Sequence, residues 1–553
     1  MPDASKPFFS QLRTLPSWSW CLLFVVGVIA AVGCDRVPQR PMLGADAEGE
    51  TRDFAEEGKV EATPQPIAPK EAQQQQVEAP AEIVDRELEW WDAYLVGREP
   101  IGFSVSKVEP VGGGEAYVRF SMEEQLKIRR GKQVVQQWLK QTSLESVSGA
   151  FQEFESELSR GGDIVLSRGA VGYNQLNITV RRGDQKETHS IPWDAKSRGP
   201  FALQQSLRGK PMQPGETRLL RALMPIQNVL GTIHLKAIDR INVAMLEGDT
   251  KQLLEIESTV KVGDQVMLSQ LLWANELGEV LKTYTPALDF STFRTNRETA
   301  TRVGTPKHDL LTATAIRVRT DDDWSSIRKR SPIAYRIQHQ TEDPVPLFES
   351  SPSQSVTAID GRTVLAVCDG SGALSADSKP VGEQDEIANA LIQSDHPTIL
   401  QMLKSLLVTE STSLEQKAET LRLGVHRHVR KKNFSRGFLS AAQVATEAEG
   451  DCTEHAILLA ALCRAAGIPS RVAAGLLMLP PADGETQPLM AYHMWTLIWT
   501  GDRWQVLDAT LAEPPRFADR IMVVSSDLAS GNEYRCLLPV LQVMGQIDVA
   551  IKD

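Results

Sequence analysis

The chain has 553 residues, 42% of them hydrophobic, and carries 59 Lys and Arg against 71 Asp and Glu, a formal net charge of −12. Such a length and apolar content indicate a globular protein of two or three domains. The acidic balance offers no basic surface for a phosphate backbone, so we expect no nucleic-acid partner.

The N-terminus has the pattern of an export signal. An apolar run from Trp18 to Gly33 follows Lys6 and Arg13, and it is shorter than the about 20 residues that a membrane span needs. The small residues before Cys34 resemble a bacterial lipobox, which implies lipidation of Cys34. We therefore expect residues 1–34 to be a signal peptide and the protein to be exported and anchored to the membrane of the bacterial cell envelope. The alternative is an uncleaved N-terminal anchor.

Residues 35–84 are rich in Pro, Ala, Glu and Gln and have few apolar residues, which predicts a disordered tether. Residues 85–302 show strand-like runs separated by Gly-containing turns and predict a β-rich antiparallel domain of unknown role, with one possible helix from Glu216 to Val229. We find no nucleophile, metal cluster or phosphate loop in it. Residues 303–384 predict further β segments and a linker into a catalytic unit at 385–553.

A cysteine stands at the start of an apolar helix in that last unit. Cys452 follows a polar segment and precedes the run from Ala456 to Leu462, which Gly467 and Pro469 then terminate. A run that is apolar all round predicts a buried helix. Unpaired backbone N–H groups and the helix dipole at its N-terminus favour the thiolate form. Cys452 is therefore a candidate nucleophile.

Two strand-like segments downstream predict a β-hairpin. They are Tyr492 to Trp499 and Arg503 to Ala509, on either side of a Gly501-Asp502 turn. With a two-residue or four-residue loop, Trp495 pairs with Asp508.

In those registers His493, two residues from Trp495, shares a face with Asp508 and is its diagonal neighbour, whereas a three-residue loop would place the two on opposite faces. The Asp508 carboxylate could then accept the imidazole N–H and leave the other ring nitrogen for Cys452. The spacing is consistent with a Cys452-His493-Asp508 triad.

Four segments in this order carry a resemblance to a known family: Gly450–Ala456, Ala466–Val472, Tyr492–Trp495 and Trp504–Thr510. Together they resemble the bacterial transglutaminase-like superfamily of papain-like cysteine enzymes. The resemblance implies that Cys452 is the nucleophile, His493 the general base and acid, and Asp508 the orienting carboxylate. It also implies an α+β fold in which the nucleophile helix packs on an antiparallel sheet. Ala509 departs from the Asp-Pro-Thr of many relatives.

Other cysteines and histidines have structural interpretations. Cys452 and His455 form a Cys-x-x-His pair, but no second pair with zinc-site spacing lies nearby, so we expect no metal and no cofactor. Cys463 is interpreted as an inert core thiol. Cys368 and Cys536 could form a disulfide in an oxidising envelope.

The basic segment around His426 and His428 is interpreted as a helix C-terminus, with a metal or lipid role as the alternative. The loop from Pro480 to Pro488 is a candidate cleft rim.

The triad chemistry predicts attack of Cys452 on an amide carbonyl of a protein or peptide substrate and a thioester intermediate. Water would resolve the thioester in a protease, amidase or deamidase, and an amine would resolve it in a transglutaminase. A second hypothesis is a catalytically silent binding or scaffold protein of the envelope.

Overall fold

The structure is a computed structural model. It describes residues 88–552 except 113–116, 131–132, 147–148, 161–162, 184, 225, 264, 308–313, 340–346, 352, 371–373, 375–379, 407–412, 433–437, 482–483 and 530–537. The predicted signal peptide, Cys34 and the tether lie outside these residues. Within them, no helix combines the length and the apolar character needed to cross a membrane.

In the N-terminal part, the described residues form a sheet of fifteen strands, antiparallel except for the parallel pair β9–β10. The strand order is β8-β7-β6-β5-β4-β3-β2-β1-β15-β14-β13-β12-β11-β10-β9. The strands are β1 Leu88–Val96, β2 Glu99–Val111, β3 Tyr117–Arg130, β4 Gln133–Ser146, β5 Phe151–Arg160, β6 Asp163–Gly172, β7 Gln175–Arg182, β8 Gln185–Pro192, β9 Ser197–Arg198, β10 Thr217–Met224, β11 Val229–Ala244, β12 Thr250–Val262, β13 Gln265–Ala274, β14 Val280–Thr285 and β15 Phe290–Thr295.

Alternation of side chains gives this sheet a buried face. In β3 every second residue from Val118 to Ile128, including Phe120 and Met122, is buried, as the period of two in a strand requires. Helix α1 (Ala202–Gly209) follows Phe201, whose ring stacks on Phe120 at 5.0 Å between centroids. The Ser206 carbonyl of α1 accepts a hydrogen bond from Arg218 Nη1 on β10 at 2.7 Å. This helix therefore packs against the sheet, and it was not predicted from the sequence.

The predicted helix from Glu216 to Val229 is wrong. Residues Thr217–Met224 are strand β10, and β11 begins at Val229. The segment contains good helix formers such as Leu, Arg and Met, but β9 and β11 pair with its two edges. Tertiary strand pairing overrides that weak local propensity.

A second sheet contains nine strands of the described chain, in the order β18-β19-β17-β26-β16-β23-β22-β25 with β24 paired to β23. It includes strands from residues 303–384, the segment expected to lead into the catalytic unit. The strands are β16 Ile316–Arg319, β17 Ile333–His339, β18 Gln354–Asp360, β19 Thr363–Cys368, β22 Ser470–Leu479, β23 Leu489–Trp499, β24 Trp504–Leu507, β25 Arg520–Ser526 and β26 Ile547–Ile551. The short strands β20 (Lys431–Lys432) and β21 (Glu449–Gly450) pair separately.

The helices after α1 are α2 Arg297–Ala300, α3 Trp324–Ile327, α4 Pro397–Leu406, α5 Leu414–His428, α6 Ala441–Glu447, α7 Cys452–Ala465 and α8 Leu538–Val543. All residues of α7 from Cys452 to Arg464 are buried, as the apolar run predicts. Gly467 ends it with φ of +75°, the left-handed conformation expected after a helix. The fold is α+β, with the predicted β-rich antiparallel region before the helical C-terminal part.

Candidate active site

The backbone before helix α7 is built to start a helix at Cys452. Asp451 caps it: its Oδ1 accepts the Thr453 N–H at 2.9 Å, and its own N–H donates to Glu454 Oε2 at 2.9 Å. Gly450 has φ of +154°, and an added Cβ would lie 2.3 Å from Glu454 Cβ. Gly450 is therefore required because a side chain would clash there, and Asp451 is required to cap the helix.

Cys452 occupies the first position of α7 and is 1% exposed. There it faces the positive end of the helix dipole, which favours the thiolate. Cys463, deep in the same helix, differs: burial raises the pKa of its thiol to about 12, and the Arg464 charge only partly offsets this. Both thiols are buried, but Cys452 lies at the N-terminus of α7 and Cys463 lies in the interior of the helix.

His493 and Asp508 lie in direct contact. The hairpin has the register predicted for a two-residue loop, with Trp499 opposite Trp504 and Thr496 opposite Leu507. His493 Nε2 is 2.7 Å from Asp508 Oδ2, and both side chains are buried. Because a carboxylate only accepts, Nε2 carries the hydrogen and Nδ1 of the neutral ring is an acceptor. Among the described residues, Nδ1 is buried and has no hydrogen-bond partner.

The Asp508 carboxylate holds two further donors. Arg520 Nη2 lies 2.6 Å from Oδ2, and the Thr510 N–H donates to Oδ1 at 2.9 Å. Burial raises the pKa of the Asp508 carboxyl, but the charges and hydrogen bonds of His493 and Arg520 outweigh it and hold that pKa well below its usual range. Asp508 is therefore a fixed negative charge beside the imidazole.

Helix α7 packs directly on the strand that carries His493. The Thr496 hydroxyl on β23 donates to the Ala456 carbonyl of α7 at 3.0 Å, in a buried position. Ala456 is one turn from Cys452, and Thr496 is three residues from His493. The structure thus brings together the two elements that carry Cys452 and His493, and it places His493 and Asp508 in hydrogen-bond contact.

Two basic residues of α5 support the loop at Asp508. Arg422 Nη1 donates to the carbonyl oxygens of Asp508 at 3.2 Å and Leu511 at 2.7 Å. His426 Nδ1 lies 2.9 Å from the Ala509 carbonyl oxygen. From the sequence, His426 was interpreted as part of a basic helix end, with a metal or lipid role as the alternative, and Arg422 was missed. Arg422 is buried, but nothing in the sequence distinguishes it from a solvent-exposed arginine of an amphipathic helix.

His455 has a structural role, as expected. Its Nδ1 lies 2.6 Å from the Asp451 carbonyl oxygen, within the first turn of α7. Burial lowers the pKa of His455, although that hydrogen bond and the charges of Asp508 and Asp451 oppose the shift. The ring therefore helps to order the helix start as a neutral group.

The remaining candidate features are a metal site and a disulfide. Within the described part of the chain, no three or more His, Cys, Asp or Glu side chains are arranged to hold a metal ion. Cys368 is a buried free thiol, and Cys536 lies outside the described residues. The candidate rim loop is tied to β16 by an ion pair of 2.7 Å between Arg317 and Glu485.

Comparison with known proteins gives one family match. Residues 401–509 match the Transglutaminase-like superfamily. No curated protein matches the chain. Residues 401–509 include Cys452, His493 and Asp508. The resemblance stated from the sequence is therefore confirmed for the C-terminal part.

Three solved structures show low similarity. A proposed cysteine protease from Cytophaga hutchinsonii has 14% identity and a TM-score of 0.27 over 40% of this chain and 89% of that chain. The β-barrel-like domain of unknown function DUF1849 from Brucella abortus has 10% identity and a TM-score of 0.29, covering 38% and 94%. The periplasmic domain of TgpA from Pseudomonas aeruginosa, bound to ethylmercury, has 14% identity and a TM-score of 0.22, covering 34% and 94%. At these TM-scores the similarities carry no argument about activity.

Proposed function

Because residues 401–509 belong to the transglutaminase-like superfamily, we propose that this protein is a cysteine enzyme that cleaves or transfers acyl groups of amide bonds through Cys452, His493 and Asp508. The observation that carries the proposal is the hydrogen bond of 2.7 Å between His493 and Asp508. It leaves His493 Nδ1 available on a strand packed against the helix that begins with Cys452. This arrangement can generate a nucleophile and hold its base.

The reaction begins when His493 Nδ1 takes the Cys452 proton. The thiolate attacks the carbonyl carbon of an amide, and the resulting tetrahedral oxyanion is stabilised by backbone donors, with the Cys452 N–H as the first candidate. Collapse breaks the C–N bond, and the imidazolium gives its proton to the departing amine, which leaves a thioester on Cys452. Water or a second amine then attacks the thioester, with His493 again as base, and restores the thiol. Asp508 keeps the ring oriented and balances the imidazolium charge throughout.

The proposed setting is the bacterial cell envelope, with a protein or peptide as the substrate. Support comes from the export pattern before Cys34 and from the tether composition of residues 35–84. Radiolabelled palmitate incorporation into the expressed protein, compared with Cys34→Ser, tests the lipid anchor. We expect label in the wild type and none in Cys34→Ser, and absence of label from both proteins would favour an uncleaved N-terminal anchor.

The catalytic proposal is tested by the alkylation rate of Cys452 with chloroacetamide as a function of pH, resolved by mass spectrometry. We expect fast labelling at neutral pH that collapses in His493→Ala, because the imidazole then no longer supports the thiolate. Cys463 in the same sample is the internal control, since the raised pKa of its thiol, about 12, keeps it protonated and slow to label in the folded protein.

Turnover of a generic peptide amide should be lost in both Cys452→Ala and His493→Ala while circular dichroism stays unchanged. Slow labelling of Cys452 with the profile of an ordinary thiol, unaffected by His493→Ala, would instead favour the catalytically silent binding or scaffold protein.

A further inference from the structure

Arg520 is a buried arginine that contacts the same carboxylate oxygen as the candidate base. Its Nη2 lies 2.6 Å from Asp508 Oδ2, and His493 Nε2 lies 2.7 Å from that oxygen. Arg520 and Asp508 are each 1% exposed. Nothing in the family match assigns a role to this position, and the triad chemistry above does not use it.

The arginine is held from several sides. Its Nη1 donates to the Arg516 carbonyl at 2.7 Å, and its guanidinium carbon lies 5.7 Å from the centre of the Trp495 ring. The Trp495 ring in turn stacks near the His493 ring at 6.1 Å between centroids. A planar guanidinium with several fixed contacts cannot move away from Asp508 without leaving buried donors unpaired.

The charges at this point are close enough to interact strongly. The donor nitrogens of Arg520 and His493 are no more than about 5 Å apart, because both lie within 2.7 Å of one oxygen. Arginine remains charged at any working pH. At an effective dielectric constant of about 20 to 40, two unit charges about 5 Å apart interact by the equivalent of about 1 to 2.5 pH units.

We propose that Arg520 is a positioning residue of the active site. It orients Asp508 toward His493 and helps the protonated His493 ring to release its proton. Asp508 alone would bind the protonated ring so strongly that the ring would return its proton late to the leaving amine. The positive charge of Arg520 on the same oxygen weakens that attraction. The inference rests on the proposed function, since it concerns proton transfer at the same site.

The test measures the rate of Cys452 alkylation from pH 5 to pH 10 in the wild type and in His493→Ala. The change of rate with pH that is present in the wild type and absent from His493→Ala reports loss of the imidazolium proton, and it is called the step below. In Arg520→Gln this step should move to higher pH by about 1 unit or more, because the uncompensated Asp508 charge stabilises the imidazolium. Arg520→Lys keeps the charge and should return the step toward its wild-type position.

Arg464→Gln is the matched control. Arg464 is also buried, but its guanidinium binds main-chain carbonyls away from Asp508, those of Ser470 at 2.8 Å and Ile387 at 2.7 Å. Its loss should lower stability and leave the step in place. An unshifted step in Arg520→Gln would overturn the inference, because a purely structural arginine predicts that result.

Arg520→Met fills similar space beside Trp495 and replaces the Gln variant if that one does not fold. Failure of both neutral variants to fold would assign Arg520 a structural role and reject the positioning role. A wild-type profile with no step that depends on His493 would instead refute the proposed function itself, so the two failures are distinguishable. The measurement uses the full protein and needs no substrate.

Discussion

A buried acid in the N-terminal sheet makes a quantitative prediction about stability. Glu124 on β3 is 1% exposed and accepts a hydrogen bond from the Tyr94 hydroxyl at 3.1 Å. Burial raises the pKa of Glu124 from 4.5 to about 8, and the Tyr94 hydrogen bond offsets only part of that shift. The side chain is therefore protonated in the folded protein at neutral pH.

The sign of the pH dependence follows from proton binding. Between pH 4.5 and about 8 the folded state keeps the Glu124 proton and the unfolded chain loses it. The contribution of Glu124 to the free energy of unfolding is fully present below pH 4.5 and decreases by up to about 1.4 kcal/mol per pH unit across this window. The total change is on the order of a few kcal/mol, a large part of the stability of a typical domain.

Glu124→Gln should remove this dependence, because a neutral amide has no proton to lose. We expect the free energy of unfolding of the variant, relative to that of the wild type, to increase as the pH rises from 5 to 8. Urea unfolding at several pH values measures this difference. Glu123→Gln is the control: the neighbouring Glu123 pairs with Lys140 and its side chain is 55% exposed. Parallel stability profiles for wild type and Glu124→Gln would refute the reasoning.

Two further predictions concern the start of helix α7 and the packing of the second sheet. Asp451→Ala removes the cap that accepts the Thr453 N–H, so it should lower the free energy of unfolding by about 1 kcal/mol and slow the alkylation of Cys452. Asp451→Asn should retain most of the stability and most of the alkylation rate. An unchanged alkylation rate in Asp451→Ala would contradict this. Gly475→Ala places a Cβ 2.1 Å from the Ile521 carbonyl oxygen in the second sheet, so it should lower the free energy of unfolding by about 3 kcal/mol or more. In Gly467→Ala the added Cβ meets no atom within 4 Å, so this variant should lose only about 1 kcal/mol of stability, because of its left-handed backbone. Thermal unfolding of the two glycine variants ranks them, and equal melting temperatures would show the close approach at Gly475 to be wrong.

The contact between His493 and Asp508 was predictable because it depends on local geometry. Fifteen residues separate the two, and a tight turn joins their strands. The turn length sets the register, and the period of two decides which side chains share a face. The start of helix α7 at Cys452 was predictable for a similar reason, since its capping interactions involve residues within three positions of Asp451.

The residues that support this pair were not predictable. Arg422 reaches Asp508 across 86 positions of sequence, and its only local feature is a place in an amphipathic helix. Arg520 lies just 12 residues after Asp508, but a 3-10 turn at Phe517–Asp519 separates them, and no sequence period relates their side chains. A buried charge that finds its partner through packing leaves no periodic pattern in the sequence.

The same distinction explains the fold. Periodicity, turn residues and helix caps act over a few residues. The β segments expected within residues 303–384, where strand Thr363–Cys368 lies, and the apolar helix after Asp451 therefore followed from local chemistry. Which edges pair is decided by contacts between distant segments, and such contacts turned the expected helix near Thr217 into strand β10. Long-range packing likewise placed Arg520 on Asp508, because the cost of burying either charge alone is removed only when the two meet.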